Sequence, residues 1–179
     1  MSLRNTTHKY GAVAQSLHWM MALLILTMLA LGLYMVRLPI SALKLKLYGW
    51  HKELGALVFI LALLRILWRW FNVTPQLPIT MPSWQRFAAH SVHFSLYFFM
   101  LALPVSGWLL SSASGLPVSF FGLFVLPDLV SPSTYLRDQL ALSHHWLGYA
   151  LIVALCAHIG AALQHHFIDK DDILRRMLP

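Results

Sequence analysis

Hydrophobic positions gather into four long runs along the 179-residue chain, separated by short polar or proline-rich stretches. The runs are uncharged or nearly so over 18–36, over 54–64 with an extension past Arg65, over 87–110 and over 139–168. A bilayer crossing needs about 20 consecutive apolar residues. The pattern therefore predicts four transmembrane helices at about 14–36, 50–71, 84–110 and 142–167, in one membrane domain over 1–179: an all-α, integral membrane four-helix bundle. The second run reaches spanning length only by including His51 and Arg65, which must be accommodated inside the bundle or snorkel. Pro104 is expected to kink the third helix. The segment NVTPQLPITMPSW reads as a short extended connector, and SSASGLPVSFFGLFVLPDLVSPSTYLRDQL as a partly helical cap on the outer surface.

Composition supports the membrane reading. Hydrophobic residues make up 59% of the chain and charged residues 11%, against about 25% charged in a soluble domain. The net charge of +7 lies in short flanks and loops, so nucleic acid is not an expected partner. Placing both termini and the second loop on one side collects Arg4, Lys9, Arg65, Arg69, Arg86, Lys170, Arg175 and Arg176. The other side holds Arg37, Lys44, Lys46, Lys52 and Arg137. The positive-inside rule then puts both termini in the cytoplasm. The first helix reads as retained rather than as a signal peptide, because no small-residue cleavage site follows a short apolar core. No appended soluble domain is expected. The single cysteine, Cys156, excludes a disulfide framework and covalent haem attachment through C-x-x-C-H, and is expected to be a small buried side chain.

The apolar segment 142–167 contains no Asp, Glu, Lys or Arg, yet carries five histidines. His144 and His158 are 14 residues apart, about four helical turns, which puts them on one face about 21 Å apart in height. His145 falls nearly opposite His158. His51 and Arg65 repeat the spacing on the second helix, so Arg65 lies one level below His51. A buried guanidinium needs an anionic partner, and no helix offers a carboxylate at that depth. With the termini inside, His51 and His144 both open their helices at the outer face and can sandwich one planar cofactor. His18 lies about one turn inside the inner face and His158 about 14 Å in, close enough for a tilted cofactor to bridge them. His165 shares the face of His158 seven residues on and is a rival for the lower position. His90 and His93 neighbour each other on one face of the third helix, toward the inner side. Zinc would need a third or fourth ligand clustered at one level. Paired imidazoles at two depths in an apolar bundle instead suit bis-histidine haem b, which lacks an open iron position for oxygen and so transfers single electrons.

The segments SLHW at 16–19, YGWHKELG at 48–55, LRILWR at 64–69, AHSVHFSLYFFMLALPVSGW at 89–108 and HHWLGYALIVALCAHIGAALQHHFIDKDDILRRMLP at 144–179 resemble the bacterial cytochrome b561 family over nearly the whole chain. The final segment, down to its tail LRRMLP, is the most specific. The resemblance implies two haem b groups, with His18 and His158 on the inner iron and His51 and His144 on the outer one, in preference to His165. Arg65 is expected to meet a haem propionate. It also implies a multi-pass protein of the bacterial inner membrane that exchanges electrons with the quinone pool. The best-understood type resembles a superoxide oxidase, an oxidoreductase in which superoxide gives an electron at the outer haem and ubiquinone is reduced. Lys44, Lys46 and Lys52 then read as a positive field for a small anionic donor. The competing reading is an electron-transfer anchor for a periplasmic dehydrogenase or hydrogenase, with a redox protein as donor. A haem-free transporter is disfavoured by the lack of internal repeats and of unwound mid-helix Gly/Pro pairs.

Overall fold

A computed structural model describes residues 2–78 and 81–178. It contains four long helices: α1 Ala12–Met35, α2 Ala42–Trp70, α3 Ser83–Ala113 and α4 Thr134–Phe167. A small antiparallel hairpin, β1 Val118–Phe120 and β2 Phe124–Leu126, lies between α3 and α4, and a 3-10 turn at Arg175–Met177 closes the described chain.

Helices α2 and α4 start about two turns earlier than the predicted starts at 50 and 142. Polar amphipathic leaders with their own caps account for both. The Ser41 hydroxyl accepts from the Lys44 amide at 3.3 Å, and Ser133 does the same for Leu136 at 3.3 Å. The leader of α2, ALKLKLYG, buries Leu47, and Lys44 reaches back to donate to the Leu38 carbonyl at 2.6 Å. Helix α3 runs continuously through Pro104.

The cap after α3 carries a β-hairpin, and its helical part is the leader of α4. Val118 pairs with Leu126, Ser119 with Val125 and Phe120 with Phe124, a run rich in the β-branched and aromatic residues that suit strands. Its tip turns through Phe121 and Gly122 with φ of 50° and 72°. Glycine takes that conformation freely, whereas a bulky aromatic rarely does.

The surface is as apolar as the interior. Leu23, Phe87, Phe94 and Val153 point outward, while Gln15, Ser106, Ser111 and Ser112 are buried. This arrangement suits a lipid solvent, in which polar groups must find partners inside the bundle. Helices α1, α3 and α4 are long and apolar enough to cross a membrane. Helix α2 carries more charge, but its contacts with α1 run antiparallel over the same depth. Gly32 lies against His51, Met28 against Gly55, and His18 against Arg65.

Packing proceeds α1 on α2, α2 on α3 and α3 on α4, whereas α4 does not pack along α1. That order sets α4 off from the α1/α2 pair. At mid-height a buried apolar cluster of Met21, Ile25, Val58, Leu61, Ala62, Met100 and Leu151 joins all four helices. Leu151 lies seven residues from both His144 and His158, so the cluster separates two histidine levels.

Candidate haem sites

The level nearer the hairpin is built from α2 and α4. The rings of His51 and His144 are 6.2 Å apart between centroids and inclined at 77°. His144 Nδ1 lies 2.8 Å from Ser106 Oγ, and that hydroxyl donates its one proton to the Leu103 carbonyl at 2.8 Å. Ser106 must therefore accept from the ring, which fixes the His144 proton on Nδ1 and leaves Nε2 with a free lone pair. His51 Nδ1 is buried without a hydrogen-bond partner among the described residues. Both rings lie against glycine. A Cβ on Gly32 would come within 3.3 Å of His51 Cε1, and one on Gly107 within 3.2 Å of His144 Cε1.

The level nearer the termini is built from α1, α3 and α4. His18 and His158 are 6.1 Å apart between centroids, and His93 stands 5.4 Å from His158. Arg65 Nη2 lies 3.2 Å from His18 Nδ1, and Arg65 Nε donates to the Tyr97 hydroxyl at 3.3 Å. A guanidinium can only donate, so His18 Nδ1 accepts. Arg69 lies over the Tyr97 ring. The charged neighbours of His18 are thus cations, and no carboxylate bonds to Arg65 among the described residues.

These spacings can be tested against a metal between two imidazoles. A metal–nitrogen bond of about 2.0 Å plus about 1.1 Å from nitrogen to ring centre, doubled for a linear pair, gives roughly 6.2 Å between centroids. The His51/His144 and His18/His158 pairs both have that separation, whereas His93/His158 is tighter. The donor set, the His51 Nδ1 without a partner among the described residues and the stand-off of α4 from α1 and α2 all suit a bis-imidazole cofactor.

Other histidines have other neighbours. His165 Nδ1 is bonded to Asp171 at 2.7 Å and lies 3.2 Å from Asp169, so it is engaged by the C-terminal segment. His145 packs against Tyr149 and Trp146. Cys156 is exposed, contrary to the buried position expected from its run; the apolar exterior of α4 accommodates it. The lysines of the first loop are locally engaged. Lys44 holds the end of α1, Lys46 lies over the Trp50 ring at 4.9 Å, and Lys52 donates to the Pro117 carbonyl at 2.8 Å and to Ser111 at 3.3 Å. Sequence reasoning did not identify Gly32, Ser106 and Gly107 as site residues. The signal was the small pair inside PVSGW, since small residues in a membrane helix mark close approach.

The family model for prokaryotic cytochrome b561 matches residues 9–179. The chain is 38% identical to cytochrome b561 homolog 2 of Escherichia coli (strain K12), over 99% of this chain and 95% of the relative. It is 38% identical to cytochrome b561 homolog 1 of the same organism, over 72% of this chain and 73% of the relative. It is 28% identical to the probable superoxide oxidase CybB of Yersinia pestis, over 96% of each. The chain belongs to the prokaryotic cytochrome b561 family, membrane proteins that bind haem b and transfer electrons.

Proposed function

We propose that the chain is a dihaem cytochrome b of the bacterial inner membrane that passes single electrons across the bilayer from a donor at the hairpin end to quinone. His51 and His144 hold the iron at the hairpin level, His18 and His158 the iron at the termini level, and both termini are cytoplasmic. The observation that carries this reading is the pair of imidazole couples, each about 6 Å apart, at two levels of one bundle. A b-type haem held by two imidazoles supplies one-electron transfer without an open position for oxygen.

The chain's own residues set the conditions for that chemistry. Ser106 holds the His144 ring in the tautomer whose Nε2 can ligate. At the other level Arg65 occupies His18 Nδ1, which the same ligation requires to be N–H. Arg65 would pair with an anionic group such as a propionate of the bound cofactor, and His18 Nδ1 would then be free to carry its proton. The apolar cluster around Leu151 excludes water between the levels, so electrons cross a medium of low reorganisation.

The donor we favour is superoxide, which loses one electron to become dioxygen. Two such electrons and two protons convert ubiquinone to ubiquinol. Support comes from the name of the Yersinia pestis relative and from the positive charge of Lys44, Lys46 and Lys52, which stays at the hairpin end although their heads are hydrogen-bonded or stacked. The test is the purified protein with a soluble ubiquinone analogue under a steady superoxide source. Quinol formation that stops on adding a superoxide-removing enzyme is the expected result. No quinol from a protein with both haems in place refutes superoxide as donor.

A further inference from the structure

Helices α1 and α4 carry the two imidazoles of the termini-end level, yet they do not pack along each other. The end of the chain bridges that gap. Beyond Phe167 it turns through Lys170, at φ 53°, and folds back beneath the bundle.

On the α4 side, the Asp169 and Asp171 carboxylates hold His165 Nδ1, and the Asp171 amide donates to the His165 carbonyl at 3.1 Å. On the α1 side, three consecutive carbonyls are taken. Gln15 Nε2 donates to Arg176 at 3.3 Å and Leu178 at 2.8 Å, and Trp19 Nε1 to Met177 at 2.9 Å. The Tyr10 amide adds a bond to Arg176 O at 3.3 Å. Gln15 is only 4% exposed, so its two bonds are sheltered from water, whereas the Trp19 bond lies at the surface. Between the anchors, Arg176 is held by Asp172 at 2.8 Å and donates to the Gln76 carbonyl.

The anchors sit beside the ligands. Gln15 is about one turn before His18, and Trp19 is the next residue, its ring 5.2 Å from the imidazole. His165 is about two turns beyond His158 on the same face. We propose that the C-terminal strap, residues 168–178, is the positioning element of the termini-end haem: it clasps α1 to α4, which do not pack along each other, and so sets the separation of His18 from His158. The proposal rests on the ligand pairs argued above. The hairpin-end pair lies on α2 and α4 and meets α1 at Gly32, about three and a half turns from Trp19, so the strap acts on the nearer haem and not on the other.

The test uses the full-length holoprotein with Gln15→Leu and Trp19→Phe combined, which removes the side-chain donors while keeping most of the volume, and a second chain ending at Ile168. Haem transfer to excess apomyoglobin is followed alongside the low-spin ferric resonance signals of the two haems. The expected result is one transfer phase faster by about tenfold or more, as for loss of a supporting shell, with a shifted resonance for that haem alone. His18→Ala must abolish the same phase. Unchanged phases and resonances in the double variant overturn the proposal. So does equal acceleration of both phases, which marks general loosening. If the truncated chain does not fold, the double variant decides. If His18→Ala itself leaves both haems bound, the ligand assignment fails instead, whatever the strap does.

Discussion

Ser106→Ala isolates a single supporting contact of the hairpin-end site. The hydroxyl accepts from His144 Nδ1 at 2.8 Å and is only 8% exposed, so water does not readily replace it. Loss of a buried hydrogen bond costs about 1 kcal/mol of stability, too little to unfold the bundle. The larger effect is on the ligand. Without Ser106 nothing holds the proton on Nδ1 or fixes the ring plane, and removal of such a partner lowers metal affinity by about 10- to 100-fold. That corresponds to about 1.4–2.7 kcal/mol of binding. Transfer to apomyoglobin should show one haem leaving faster and the other unchanged. Ser95→Ala is the control, because among the described residues Ser95 donates only to the Ser91 carbonyl on its own helix. An unaltered haem in Ser106→Ala, or acceleration confined to the termini-end haem, refutes the argument.

Three further outcomes follow from the geometry. His93→Ala should retain both haems, because the His93/His158 separation of 5.4 Å is too short for two imidazoles on one iron; loss of a haem there, with retention in His18→Ala, reverses the assignment. Arg65→Gln removes a cation beside His18, so one of two midpoint potentials should move negative in a redox titration while the other stays. Asp172 lies outside the spans, and its hydrogen bond from Arg176 holds its carboxyl below the ordinary range. A carboxyl lowered in the folded state stabilises above its unfolded value and loses that contribution as pH falls through the folded one. Protection of the 174–178 amides from hydrogen exchange, corrected for intrinsic rates, should therefore fall in acid, and Asp172→Asn should remove that dependence.

The features legible in the sequence were those set by period and length. Apolar runs located the helices, and the 14-residue spacing from His144 to His158 placed two levels on one face of α4. Helix starts were less legible, because the leaders of α2 and α4 are charged and amphipathic and their beginnings depend on the caps at Ser41 and Ser133. Helical periodicity also did not reveal the hairpin, which an aromatic at positive φ and one glycine turn into being. Spacing alone left His165 level with His158 as a candidate. What separates them is the return of Asp169 and Asp171 beneath α4, a tertiary fold-back that no local pattern encodes. The approach of His93 to His158 was hidden for the same reason, since the depth of α3 relative to α4 is set by packing. Lys44, Lys46 and Lys52 look alike as a basic cluster, yet each has a different local partner.

The central claim is that one bundle holds two cofactors, each between two imidazoles. The most direct test is the haem b content of the purified protein by pyridine haemochrome, measured beside His51→Ala. Two haems per chain, falling to one in the variant, is the predicted result. One haem per chain in the unaltered protein, or two in His51→Ala, contradicts the pairing.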